Sequence, residues 1–162
     1  MSKMHDQLER IAKLLREQTT LSLATSDENG LPSAAPLFYI ADEELTLYWL
    51  SSQSSQHSRN LQRRPCAAAT VYCPAMGWKE IRGVQMRGAV SIVTEPERRS
   101  AHVKAYCERF KLGRVFRLAI RRSILFALQP EFFRSIDNTK AFGDNYELTR
   151  PSAGWSLPLP SA

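Results

Sequence analysis

The sequence predicts a mainly β domain with flanking helices, built as a small antiparallel barrel. Three observations carry this. Short segments of alternating apolar and polar residues recur, separated by compact turn signals such as Asp27-Glu28-Asn29-Gly30 and Asp42-Glu43-Glu44. Helical patterns fall in the crossovers between hairpin-linked strands, which disfavours a doubly wound parallel sheet. One alternating stretch, 80–94, is longer than an average strand and carries Gly83 and Gly88 inside it, as a bulged or sharply coiled barrel strand does.

In order, residues 5–18 place Leu8, Ile11, Ala12, Leu14 and Leu15 at close to helical spacing and read as an amphipathic helix. Residues 19–26 alternate with period two; Asn29-Gly30 supplies positive φ for a hairpin, and 33–41 return as a strand that Pro36 marks as an edge or irregular pairing. A third strand puts Leu45, Leu47 and Trp49 on one face and Thr46, Tyr48 and Leu50 on the other. A short helix runs from a serine cap to the residues before Pro65. Residues 66–72 form the next strand, and the long 80–94 strand follows the turn Pro74-Ala75-Met76-Gly77. Glu95-Pro96-Glu97 opens a helix to about residue 110, with proline and acidic groups where a helix N-terminus favours them. Residues 114–121 read as a second short helix and 124–136 as the last strand, interrupted by Pro130. The domain spans 1–150; the tail from Pro151 (151–162) lacks periodicity and is expected to be an extended or disordered arm.

With 162 residues, 43% hydrophobic and 23% charged, the chain suits one compact domain with a true core. No apolar run approaches the roughly 20 residues needed to cross a bilayer, and the first 18 residues carry no signal-peptide pattern, so a cytoplasmic protein with no membrane association is expected. Cys66, Cys73 and Cys107 are odd in number and show no CxxC spacing, which disfavours a disulfide framework or a zinc site; Cys66 and Cys73 are read as buried packing residues. The formal charge of +6 suits an anionic ligand, but the basic residues are scattered pairs and no nucleic-acid-binding motif is present, so no nucleic-acid partner is expected.

The most informative stretch is 47–65. It carries Ser51, Ser52, Ser54 and Ser55, then His57 and Arg59, with no acidic residue from Leu47 to Arg64. A strand that feeds hydroxyls and free backbone N–H groups into a helix N-terminus is a place for a phosphate. The plainer alternative, a serine-rich cap before a solvated basic helix face, stays open on these residues alone.

This strand–serine–helix element ends in Asn60-Leu61-Gln62-Arg63-Arg64-Pro65. It resembles the corresponding segment of the pyridoxamine 5′-phosphate oxidase-like FMN-binding split barrels, as do the long glycine-containing strand and the helix after it. More narrowly, Ile81-Arg82-Gly83-Val84-Gln85-Met86-Arg87-Gly88 with Asp137-Asn138-Thr139-Lys140-Ala141-Phe142-Gly143 resembles one branch of short bacterial proteins related to the YhbP protein. The likeness covers about residues 5–150. It implies a six-stranded split barrel and a homodimer with FMN at the subunit interface. It also implies a flavin ring near Ala35, Pro36, Leu37 and Phe38, and a phosphate held by Ser51, Ser52, Ser55 and His57, with Arg59 beside them. The oxidases' Arg-Lys pair is replaced by Gln56-His57, and their C-terminal substrate-binding basic residues have no counterpart in register. Gln85 and Arg87, two and four residues beyond the position matching the oxidases' FMN-binding glutamine, keep its strand face and join the candidates.

Trp78 either walls the flavin, contacts the other subunit or simply packs. The 137–143 motif reads as a turn with an aromatic plug or as pocket lining. Gly88, on the face opposite Arg87, is expected where a neighbouring strand or the flavin approaches closely. His5 and His102 are expected at the surface of their helices. No paired carboxylates, Ser-His-Asp set or HExxH spacing exists, so hydrolytic and metal chemistry are disfavoured and no catalytic residue is named. Three functions follow as expectations: an FMN-dependent oxidoreductase of an unidentified small-molecule substrate, a non-enzymatic binder or carrier of flavin or haem, and a cofactor-free structural dimer.

Overall fold

The computed structural model describes residues 3–155. Along the chain run α1 (Lys3–Glu17), β1 (Thr20–Ser26), β2 (Pro32–Phe38), β3 (Ile40–Ala41), β4 (Leu47–Ser52), α2 (Gln56–Arg63) and β5 (Cys66–Tyr72). They are followed by β6 (Arg82–Ile92), α3 (Pro96–Arg109), α4 (Arg117–Arg122), β7 (Ser123–Asp137) and β8 (Asn145–Thr149). Single helical turns at Trp78–Glu80 and Arg114–Phe116 lead into β6 and α4. All eight strands belong to one antiparallel sheet, ordered β2-β1-β5-β6-β7-β4-β3, with β8 added to β7. The fifteen-residue β7 holds this together: its first half pairs with β4, its second half with β8, and its other edge with β6.

The sheet curls around one core. Leu21 and Leu23 of β1, Trp49 of β4, Val71 of β5, Met86 of β6 and Phe133 of β7 meet on its concave side. Leu8, Ile11, Ala12 and Leu15, spaced at i, i+3, i+4 and i+7, bring α1 down as the plug. On the other side of β4 and β7, Tyr48, Leu125 and Ala127 pack with Val93 and Val103 beneath α3. Among the described residues the convex face of β2, β1, β5 and β6 leaves Ala24, Ala34, Ala68 and Ala89 exposed, while at its corner Phe38 meets Phe110 at 4.9 Å between ring centroids.

The strand count departs from the expected six. Tyr39 leaves the returning strand: its side chain goes fully inside, its hydroxyl donates to the Leu15 carbonyl at 2.7 Å, and the strand is split into β2 and β3. β8, Asn145-Tyr146-Glu147-Leu148-Thr149, lies beyond the expected strands: its alternation lasts only five residues, and it pairs along the edge of the long β7 with Leu148 turned to the core. The irregularity expected in the long strand is a slip in the β6–β7 register between Arg87 and Gly88, where Phe132 and Pro130 are successive partners and Glu131 is skipped. Pro130 has no N–H to give the ladder, so a bulge is the low-cost solution there.

Four further expectations are corrected. Cys66 is exposed and Cys73 only half-buried, because the inward positions of β5 are Ala67, Ala69 and Val71. His102 is not a free surface residue: its ring stacks on Tyr48 at 3.8 Å between centroids, and Nδ1 bonds the Arg98 carbonyl at 2.7 Å. The tail is not an arm at its start, since Trp155 is 4% exposed, packs on Phe133 and donates Nε1–H to the Pro130 carbonyl at 2.7 Å; residues 156–162 of that reading lie outside the described residues. Phe142 is 79% exposed and plugs nothing, lying edge-on to Trp78 at 5.2 Å.

Candidate functional site

The junction of β4 and α2 is built by the serines. β4 carries Leu47, Trp49 and Ser51 on its inward face, so Ser51 ends a buried row while Ser52 looks outward. Ser55 has extended backbone and caps α2: its hydroxyl accepts from the Ser58 N–H at 3.3 Å, and the Ser55 N–H reaches the Ser52 carbonyl at 3.1 Å. The N–H groups of Gln56 and His57, at the first positions of α2, keep no acceptor among the described residues, as the first turn of a helix leaves them. Ser52 and Ser54 share a 2.9 Å bond beside this terminus.

The His57 imidazole fills the junction. Its Nε2 lies 2.8 Å from the Ser51 hydroxyl and 3.1 Å from that of Ser55, which in turn donates to the buried Ser58 hydroxyl at 2.7 Å. Burial pushes the His57 pKa below its ordinary value. Desolvation penalises the imidazolium, so the ring is neutral at physiological pH. Arg59 folds back over the turn onto the Ser54 carbonyl and donates to Gln56 Oε1 at 2.7 Å. The result is a hydroxyl-rich, weakly positive cradle whose spare donors are backbone N–H groups.

Two residues that the sequence reading left out of the site fix its position. Asn60 is 3% exposed and donates Nδ2 to Thr25 Oγ1 at 3.0 Å and Ser33 Oγ at 3.2 Å, while its Oδ1 accepts from Gln56 Nε2 at 2.9 Å. Ser58 is fully buried. Polar residues on the inward face of a short helix were the available signal. Outside them, Arg63 pairs with Glu28 at 2.7 Å and Arg64 donates to the Glu28 carbonyl, so α2 is clamped to the β1–β2 hairpin.

From Ser33, beside Asn60, β2 continues through the remaining candidates. Ala35 and Leu37 are half-buried on one side of the strand; Pro36 and Phe38 are exposed on the other. The registers carry two rows across the convex face: Pro36–Ser22–Thr70–Gln85 and Ala34–Ala24–Ala68–Arg87. Gln85 and Arg87 therefore share the outer face of Pro36. Arg87 lies over the Phe132 ring at 3.9 Å and borders a shallow hollow floored by Ala24, Cys66 and Ala68. Ser51, Ser55 and His57 are thus joined by direct bonds, with Ser52 and Arg59 at their rim. Gln85 and Arg87 form a separate group on the sheet. Trp78 is apart from both, held through its carbonyl by Asn138 Nδ2 at 2.8 Å and by its contact with Phe142.

Comparison with known proteins converges on this architecture. The family model described as pyridoxamine 5′-phosphate oxidase matches residues 8–130. A UPF0306 protein of Cronobacter sakazakii is 30% identical over 139 residues, 85% of this chain and 92% of that protein. Among solved structures, a conserved hypothetical protein of Mycobacterium tuberculosis superposes with a TM-score of 0.72 at 21% identity, covering 95% of each chain. HutZ, the haem storage protein of Vibrio cholerae, superposes at 0.65 with 24% identity over 76% of this chain and 89% of that one. An F420 reductase does so at 0.61 with 24% identity over 75% of this chain and 93% of that one.

Proposed function

This chain belongs to the pyridoxamine 5′-phosphate oxidase family, and from that premise we propose that it is an FMN-binding split-barrel protein acting as a flavin-dependent oxidoreductase on a small molecule. The observation that carries the reading is the Ser51–His57–Ser55 cluster beside two unpaired N–H groups at the start of α2. A phosphate monoester needs several donors in a small arc, and a helix N-terminus supplies them together with a favourable dipole. The donor set fits a phosphate held mainly by hydroxyl and amide groups, with Arg59 in reach of the rim.

Bound FMN would supply the redox chemistry through its isoalloxazine ring. The residues of this chain bind and orient it. Ser51, Ser52, Ser55 and His57 would hold the phosphate, Asn60 keeps α2 and its cradle docked on the β1–β2 hairpin, and Ala35, Pro36, Leu37 and Phe38 would line the ring. A homodimer belongs to the same proposal. The convex face of β2, β1, β5 and β6 shows water Ala24, Ala34, Pro36, Phe38, Ala68 and Ala89, a set that a second copy would cover. Gln85 and Arg87 stand on that face, where an interfacial cofactor would meet them.

The second reading, a haem binder or carrier, is favoured by the fold likeness to HutZ, the haem storage protein. The two readings separate on one measurement. Titration of FMN, riboflavin and haemin against wild type and a Ser52→Ala/His57→Ala variant should give FMN binding that the variant weakens about 100-fold, at about 1.5–3 kcal/mol per charge-assisted bond. Riboflavin, lacking the phosphate, should change little. Haemin binding in the absence of any flavin binding would move the assignment to the second reading.

A further inference from the structure

The two motifs that mark the narrower branch, 81–88 and 137–143, are far apart in sequence and meet in space at the end of the sheet opposite Gly88 along β6. Arg82 pairs with Asp137 across β6 and β7, and the Asn138 N–H bonds the Ile81 carbonyl at 2.9 Å. The flavin reading uses neither Arg82 nor Lys140. Both border a half-enclosed cleft of about 270 Å³ between this corner and the outer face of α1, which adds Arg10 and Lys13.

The charges of the cleft do not balance. Its carboxylates are Glu17 and Asp137, and both are engaged: Glu17 lies 3.8 Å from Lys13, while Asp137 accepts from the Thr139 N–H and hydroxyl and stands 3.9 Å from Lys140. Among the described residues neither Arg10 nor Arg82 has a carboxylate partner; Arg82 donates only to Cys73 Sγ, at 3.4 Å. Two uncompensated guanidinium groups on opposite walls call for a ligand with two negative charges, and planar guanidinium groups favour phosphate oxygens. Leu14 and Ile136 give the floor an apolar strip, and Tyr146, whose hydroxyl is committed to the Gln7 carbonyl at 2.9 Å, closes one side. The volume lies just below the usual range for ligand sites, so the ligand is small.

We propose that this cleft is a second binding site, for a small phosphate monoester with an apolar body, gripped between Arg10 and Arg82. It is independent of the α2 cradle and does not rest on the flavin reading.

The test is calorimetric titration of phenyl phosphate, inorganic phosphate and phenol at one fixed physiological ionic strength. Wild type should bind phenyl phosphate better than either fragment. Arg10→Gln/Arg82→Gln, at two exposed positions, should weaken it roughly 10-fold or more, the cost of losing charge-assisted bonds. Arg121→Gln/Arg122→Gln, removing equal charge elsewhere, should leave it unchanged. Arg82→Gln alone is the fallback if the double variant melts early, and should produce a smaller loss in the same direction. Equal losses in the Arg10/Arg82 and Arg121/Arg122 variants, or wild-type binding no tighter than that of phenol, would overturn the proposal. FMN titrated against the same variants keeps the two sites apart. Unchanged FMN affinity supports separate sites, and FMN loss in the Arg10/Arg82 variant would mean that the cleft holds the flavin phosphate instead.

Discussion

Gly88 lies against the backbone of Gln129: a Cβ built on Gly88 would stand 2.0 Å from the Gln129 carbonyl oxygen and 3.0 Å from the Pro130 Cα. The β6–β7 bulge brings the two strands this close, and only hydrogen fits between them. Any side chain at position 88 must push β7 away from β6 along the seam on which the whole sheet depends.

Gly88→Val should therefore destabilise the fold by at least the roughly 1–3 kcal/mol of ordinary overpacking. That corresponds to a melting temperature lower by several degrees for a chain of this size. Gly77→Ala, which meets nothing within 4 Å, is the control and should move it little. Thermal melts followed by circular dichroism decide the matter; equal melting temperatures for wild type and Gly88→Val would mean that β7 yields without cost.

Asn60→Ala should cost about 1–3 kcal/mol, because it removes the amide donor that the buried Thr25 and half-buried Ser33 hydroxyls share, leaving them only their mutual 3.2 Å bond, and frees α2 from the first hairpin. FMN affinity should fall as well, because Asn60 positions the cradle. Asn60→Asp, similar in size but without the amide donor, should behave like the alanine variant in urea denaturation. Wild-type stability in Asn60→Asp would show that donation to Thr25 and Ser33 is dispensable.

Trp155→Ala removes a buried ring and its bond to the Pro130 carbonyl, and should lower stability by about 3–5 kcal/mol. Val115→Ala, at a side chain 91% exposed, should be neutral. Denaturant midpoints for the two variants give the comparison, and an unshifted midpoint in Trp155→Ala would sink the anchoring role.

His57 gives the protein without ligand a defined pH response. Its folded pKa lies below the ordinary 6.5, so in the interval below that value the unfolded chain binds the proton more readily. The contribution is fully present above pH 6.5 and is lost as pH falls through the folded value. His57→Gln should flatten that limb of the stability profile between pH 7 and 5. A bound phosphate acts in the opposite direction by favouring imidazolium, so FMN affinity should rise as pH falls through the His57 pKa of the complex, which lies above that of the free protein. A pH profile of FMN affinity that is the same in His57→Gln would remove His57 from the cradle.

The sequence by itself determined the local structure and the sidedness of most elements. Alternation placed Leu21, Leu23, Trp49, Val71 and Met86 inward, the 3.6-residue spacing of Leu8, Ile11, Ala12 and Leu15 gave α1 its buried stripe, and Ser55 announced the α2 cap. The same stretch carried the candidate phosphate residues, because capping and anion binding need the same hydroxyls at the same place. Only the tertiary structure decided what those elements meet. Pairing partners are set by long-range packing, which the five alternating residues of β8 are too few to disclose, and which the single Tyr39 that turns inward and divides a strand does not announce. Asn60 could be read as polar but not as buried, since its partners Thr25 and Ser33 lie 35 and 27 residues away. Arg10, Arg82 and Lys140 looked like solvated charges one by one, and became a cleft because the sheet closes the distance between them and an electrostatic field sums over space rather than over sequence.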